Sequence, residues 1–311
     1  MRWEKKGLIF KADGRYEWMA RHASIPCADK ISAEVVRIYF GPRDTQGRTH
    51  TTFIDAEADD PARIIRVHDR PVLSPGELGC FDDSGAMPSC IVNYGGKKYL
   101  YYIGWNKGVT VPYRNAIGLA VSDDGGTTFA RVFPGPVIDR TRNEPFFTAT
   151  PYILVEDGLW RCWYASSTGF LVVAGKPEPV YQIKYAESDD GFVWRRPNVT
   201  CIPYKTPGEA NARPAVIKEG DKYRMWYCYR GSDGYRSDKT QSYRMGYAES
   251  INGLDWERLD ERVGIERSAA GWDSEMIAYP NVYEHRGRKY MLYCGNGFGA
   301  GGFGYAVMVE D

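Results

Sequence analysis

Residues 214–227, PAVIKEGDKYRMWY, and residues 151–164, PYILVEDGLWRCWY, have the same grammar: an apolar run, a polar turn and a second apolar run. In both, a proline opens the stretch and a tyrosine closes it thirteen positions later. The same fence stands at Pro26 and Tyr39, Pro88 and Tyr101, and Pro280 and Tyr293. The five prolines are 62, 63, 63 and 66 residues apart. A period of this length, with two short strands in each copy, indicates a radial β-repeat and not a helical solenoid.

The other half of each unit repeats as well. Residues 117–125 (IGLAVSDDG), 183–191 (IKYAESDDG), 245–253 (MGYAESING), 53–61 (FIDAEADDP) and 303–311 (FGYAVMVED) align without gaps. Each is an alternating strand running into a small polar turn. Phe129, Trp194 and Trp256 follow three of these turns. The unit therefore reads as four antiparallel strands, one blade of an all-β, five-bladed propeller occupying residues 1–311 as a single domain. The last unit stops after its third strand, and Trp3-Glu-Lys resembles Trp256-Glu-Arg at the start of a fourth. Residues 3–10 are thus expected to complete the C-terminal blade, which leaves no long free edge.

Forty basic and forty acidic residues cancel, so charge gives no support to a nucleic-acid or anionic-membrane partner. No apolar run approaches a membrane span, and the start, MRWEKKGLIF, lacks the core of an export signal. Seven cysteines without a CxxC pair fit a reducing, cytoplasmic setting. The four histidines show no metal-ligand spacing. Gly299-AGGF-Gly304 matches GxGxxG but joins two strands of one blade and opens no helix, so it carries no dinucleotide reading. No GxSxG elbow appears. The Ser-Asp-Asp-Gly turns are similar to the Asp-box of sialidases and belong to the outer hairpins.

In a propeller the residues just before the five prolines and just after the five tyrosines converge on one funnel. Before the prolines lie HASI (22–25), DDSGAM (82–87), EPFFTAT (144–150), EANAR (209–213) and DSEMIAY (273–279). Asp83, Glu209 and Glu275 each precede their proline by five residues, and with Glu144 they form the expected catalytic pool. Crowded carboxylates repel one another and split into an acid and a base, which is what hydrolysis of a glycosidic bond needs. Glu209 and Asp83 are the expected pair. Long loops after the tyrosines supply candidates for substrate binding: Arg43, Asp44, Trp105, Asn106, Arg114, Asn115, Arg230 and Arg244. His22, Arg213 and Asp273 join them from the pre-proline segments. Guanidinium forks, amides and an indole suit sugar hydroxyls, carboxylates or phosphates.

The blade text, KYRMWYCYRG followed by YAESINGLDW, resembles the five-bladed propeller superfamily of glycoside hydrolases, which includes families 32, 43, 62, 68 and 130. The resemblance implies a funnel acting on a glycosidic bond, and in some relatives a structural calcium ion in the central channel. The chain departs from the family patterns. Ile25, Met87, Thr150, Arg213 and Tyr279 stand before the prolines where family 43 places aspartates, and WMNDPNG and ECPD are absent. No catalytic triad carries over residue by residue. The expectation is a divergent enzyme that cleaves a small, charged sugar or glycoconjugate without cofactor or metal. Phosphorolysis, glycosyl transfer and a non-catalytic carbohydrate-binding propeller are the alternatives.

Overall fold

The computed structural model describes residues 1–310. The chain is all-β. Strand β1 (Arg2–Phe10) is followed by β2 (Arg21–Lys30), β3 (Val35–Arg43), β4 (Thr52–Glu57) and β5 (Ile64–Val67), which form one four-stranded antiparallel sheet in chain order. A second sheet consists of β6 (Gly85–Tyr94), β7 (Lys97–Lys107), β8 (Tyr113–Ser122) and β9 (Ala130–Arg131). Strands β10 (Thr148–Glu156), β11 (Leu159–Val173), β12 (Lys176–Ser188) and β13 (Thr200–Ile202) pair in that order. So do β14 (Ala210–Glu219), β15 (Lys222–Arg230), β16 (Arg244–Ser250) and β17 (Glu257–Arg258). One parallel bridge, Tyr181 to Ala210, joins these two groups. Finally β18 (Ala278–His285), β19 (Arg288–Cys294) and β20 (Phe303–Glu310) take β1 as the outer strand next to β20.

Aromatic and aliphatic side chains on alternate strand positions fill the space between sheets. Trp3 of β1 meets Trp226 of β15 edge-on at 5.8 Å. The turns are pinned across sheets. Tyr39 donates to the carbonyl of Gly126, Tyr101 to that of Gly191, and Trp163 to that of Gly253, each at 2.7–2.8 Å. The thirteen-residue spacing hides a one-residue offset. Tyr39 and Tyr101 are matched in role by Trp163, whereas Tyr102, Tyr164 and Tyr293 bond carboxylates of their own sheets. One residue along a strand turns a side chain to the opposite face.

The Ser-Asp-Asp-Gly turns hold themselves together. The buried Ser188 hydroxyl accepts the N–H groups of Asp190 and Gly191 at 3.2 and 2.9 Å, and Ser122 and Ser250 do the same in their turns. Ser188→Ala strands those donors, so it should lower stability by about 1–3 kcal/mol. Urea unfolding followed by tryptophan fluorescence measures this, and an unchanged midpoint would show that water replaces the hydroxyl.

One sequence expectation changes here. Residues 165–182, expected as a loop, continue β11 and β12 as one long hairpin. All seven cysteines are free, and six are buried.

Candidate functional site

The residue before the proline adopts a left-handed conformation in four of the sheets: Ile25 (φ 54°), Thr150 (φ 46°), Arg213 (φ 56°) and Tyr279 (φ 58°). Each lies in a register shift of its first strand, a bulge that bends the strand and re-aims its side chains. Non-glycine residues take this conformation only when their surroundings enforce it. Ile25, Thr150 and Tyr279 floor a cavity of about 380 Å³, and Met87 joins them from β6. The size suits a small ligand.

The cavity wall contains five of the expected binding residues: His22, Arg43, Trp105, Asn115 and Arg230. It also contains residues the sequence did not single out, chiefly Arg236, Tyr113, Tyr181, Tyr235, Tyr243 and Phe147. Arg236 and Tyr235 lie in the loop between β15 and β16. Their signal was present in CYRGSDGYRSDKTQSYR (228–244), a long connection dense in arginine and tyrosine.

Charge in this cavity is one-sided. Among the described residues, no aspartate or glutamate belongs to its lining. The carboxylate tied to its wall is Glu178, which accepts from the Tyr235 hydroxyl at 2.6 Å and from Arg236 Nε at 3.2 Å. Burial works against ionisation of Glu178, but those two partners hold its carboxyl below the usual range. Arg230 is 1% exposed; it packs 3.6 Å from the Tyr235 ring centre and donates to the carbonyls of Pro179 and Gly231. The hydroxyls of Tyr181 and Tyr243 bond each other beside it. On another wall, burial together with Arg43 and Arg21 pushes His22 down to about 4, so its imidazole is neutral at pH 7. His22 also has a positive φ of 63°, and its Nδ1 has no partner.

The four expected catalytic carboxylates do not meet in the cavity. Glu144, 3% exposed, accepts from Tyr164 at 2.9 Å and from Arg196 at 3.0 Å. Glu209, also 3% exposed, bonds Arg258 at 2.7 Å, and Arg258 bridges on to Asp260 at 2.8 Å. Asp83 is half-buried and accepts from Asn106, Ser84 and the Gly79 N–H; these bonds overcome the upward push of burial and hold its carboxyl low. Glu275 is exposed at the surface.

The arrangement behind this is a repeated clasp. Asp82 bonds Tyr102 and Arg131, Glu144 bonds Tyr164 and Arg196, and Asp273 bonds Tyr293 and Lys5. In each, a second-strand tyrosine and a cation from the outer part of the sheet neutralise a carboxylate from the segment before the first strand. A buried carboxylate needs such partners. These acids therefore tie three of the strand groups to their own entry loops.

The remaining expected residues are also placed elsewhere. Asp273 is spent in its clasp, and Asp44 on Arg48 and His50. Asn106 holds Asp83 and the Cys80 carbonyl, Arg114 is exposed, and Arg244 bonds the Thr240 carbonyl over the Tyr229 ring. Arg213 lies below the floor, fully buried, donating to the Pro26 carbonyl at 3.1 Å. Its charge reaches the thiols of Cys27, Cys228 and Cys294. A calcium ion requires six to eight oxygens with carboxylates among them, so a guanidinium ringed by thiols does not fit one in this channel. Among the described residues, no cluster of three His, Cys, Asp or Glu could hold a metal, and no helix is long and apolar enough to cross a membrane.

No family model matches the chain. Against solved structures, it aligns with a glycoside hydrolase at a TM-score of 0.73, 17% identity, over 98% of this chain and 90% of that one. It aligns with a thermostable family-43 glycoside hydrolase at 0.70, 18% identity, over 93% and 91%. A family-32 β-fructofuranosidase of Bombyx mori follows at 0.62, 16% identity, over 96% of this chain and 62% of that one. The fold is thus that of the propeller glycoside hydrolases. Two proteins of Mycobacterium tuberculosis, the uncharacterised proteins Rv1502 and MT1551, are each 38% identical over 311 residues, covering 99% of both chains. The chain belongs to the family of these two mycobacterial proteins.

Proposed function

We propose that the chain closes as a five-bladed propeller and uses the cavity at its axis to recognise an anionic sugar or sugar conjugate. In favour of five blades, the first strands neighbour one another in a ring, β2 to β6, β10, β14, β18 and back to β2. The reading of the ligand rests on one observation: three arginines and a histidine line the cavity among aromatic rings, with no carboxylate in the lining among the described residues. Aromatic faces bind the apolar side of a sugar ring, and guanidinium forks bind carboxylate or phosphate.

Two-carboxylate hydrolysis has no support in this geometry. It needs an acid and a base or nucleophile about 5–9.5 Å apart around the scissile bond. Glu144 and Glu209 are paired with arginines, Asp83 is held by Asn106, Ser84 and the Gly79 N–H, and Glu275 is exposed. None of the four lines the cavity, and Glu178 is held ionised by Arg236. We therefore favour a carbohydrate-binding role on a glycosidase scaffold. Phosphorolysis is the second reading, because arginines suited to an anion would also hold inorganic phosphate as the nucleophile.

Thermal-shift titration with matched neutral sugars, uronic acids and sugar phosphates tests the proposal. Uronic acids or sugar phosphates should stabilise the protein while their neutral parents do not, and added salt should weaken the effect. Stabilisation by neutral sugars alone would overturn it. Release of sugar 1-phosphate from a glycoside in phosphate buffer would select the second reading.

A further inference from the structure

The arginines of the cavity are not equivalent. Arg236 is matched by Glu178. Arg230 forms no ion pair: two of its nitrogens bond carbonyls, its Nε has no hydrogen-bond partner, and the Glu178 carboxylate that acts on it electrostatically is bonded to Arg236 and Tyr235. Arg43, at the end of β3, has neither an ion pair nor a side-chain hydrogen bond among the described residues, and burial together with Arg21 weakens its hold on the proton. The cavity therefore contains two guanidinium groups to which the protein gives no directly bonded carboxylate, in surroundings where such charge is costly.

These charges stand apart. Arg43 ends a strand of the first sheet and Arg230 a strand of the fourth, with the sheet of Tyr279 between them on one side. Arg43 interacts electrostatically with Tyr279 and Tyr113, and Tyr113 in turn with Arg230 and Arg236. Arg43 and Arg230 thus line one cavity from different sheets, with Tyr113 within electrostatic reach of both.

Building on the anionic-sugar reading, we propose that the ligand carries two separate anionic groups on one sugar-sized body. One group is seated at Arg43 and the other at Arg230, with the sugar ring between them against Tyr113 and Tyr279. A hexuronic acid 1-phosphate has this chemistry, with a carboxylate and a phosphate at opposite ends of the ring. A ligand with one anion leaves one guanidinium unsatisfied and gains from only one wall.

Calorimetric titration with four probes in each of the gluco, galacto and manno series tests this: the neutral hexose, the uronic acid, the hexose 1-phosphate and the uronic acid 1-phosphate. In at least one series the two-anion probe should bind roughly 10–100-fold tighter than either one-anion probe, the range of one charge-assisted contact. Arg43→Met should erase that advantage while leaving one of the one-anion probes bound as in the wild type. Arg230 also supports Pro179 and Tyr235, so Arg230→Lys, which keeps the charge and loses the fork, serves as its partner variant and should weaken the two-anion probe. One-anion probes binding as tightly as the two-anion probe would overturn the two-group inference and leave the anionic reading standing. Neutral hexoses binding as tightly as all charged probes would overturn both.

Discussion

Glu144→Gln is expected to cost about 3–5 kcal/mol of folding stability, the range for breaking a buried ion pair by removing one partner. The carboxylate is 3% exposed, and its loss leaves Arg196 (13% exposed side chain) without its counter-charge and Lys184 (9%) without a neighbouring anion. The Tyr164 hydroxyl would keep an acceptor in the amide oxygen. At about 2 °C per kcal/mol, the low end for a chain longer than 250 residues, the melting temperature should fall by roughly 6–10 °C. Scanning calorimetry of the wild type and the variant measures this. A catalytic Glu144 would behave in the opposite way, losing turnover with the melting point unchanged, and that outcome would remove the clasp as its role.

Acid sensitivity is the second large effect. His22 has an ordinary value of 6.5 and is pushed down to about 4 by burial, Arg43 and Arg21. The unfolded chain then binds a proton that the folded chain refuses. The stability this group contributes is complete above pH 6.5, is lost as pH falls from 6.5 towards 4, and is flat below that. The loss reaches at most about 3 kcal/mol, less whatever solvent screening reduces at a half-buried ring. His50 and His68 are lowered too, chiefly by burial, and act with the same sign. The test is therefore a difference between variants. His22→Asn keeps a residue that tolerates positive φ and should flatten part of the decline between pH 7 and 4.5 in denaturant titrations. Equal declines in both proteins would refute the assignment. A bound anion offsets the field of Arg43, so ligand binding near pH 5 should draw a proton onto His22.

The repeat made the architecture legible from the residues. Proline-fenced hairpins and Ser-Asp-Asp-Gly turns are local: the hydrophobic alternation and the turn hydroxyls act within about fifteen residues, so the sequence displays them directly. The convergence of His22, Arg43, Trp105, Asn115 and Arg230 follows from the same periodicity, because equivalent strand ends in a ring must face one axis.

The role of the acids was not legible. Asp83, Glu209 and Glu275 share a distance from proline, yet one is half-buried, one is clasped and one is exposed. Asp82, Glu144 and Asp273, which precede their prolines by six, seven and seven residues, share one role, each meeting a tyrosine twenty residues on.

By itself, then, the sequence determined the number and kind of strands in each unit and which loops gather at the axis, because those depend on period and turn chemistry. Only the tertiary structure decided which charges remain free there. A carboxylate is neutralised by whichever cation the other strands of its sheet bring within about 3 Å, and Arg131, Arg196, Arg258 and Lys5 arrive from positions that no local spacing connects to the acids they hold. Arg43 and Arg230 are left without an ion pair for the converse reason: no carboxylate docks on Arg43, and Glu178, whose charge reaches Arg230, is bonded to Arg236 and Tyr235 instead.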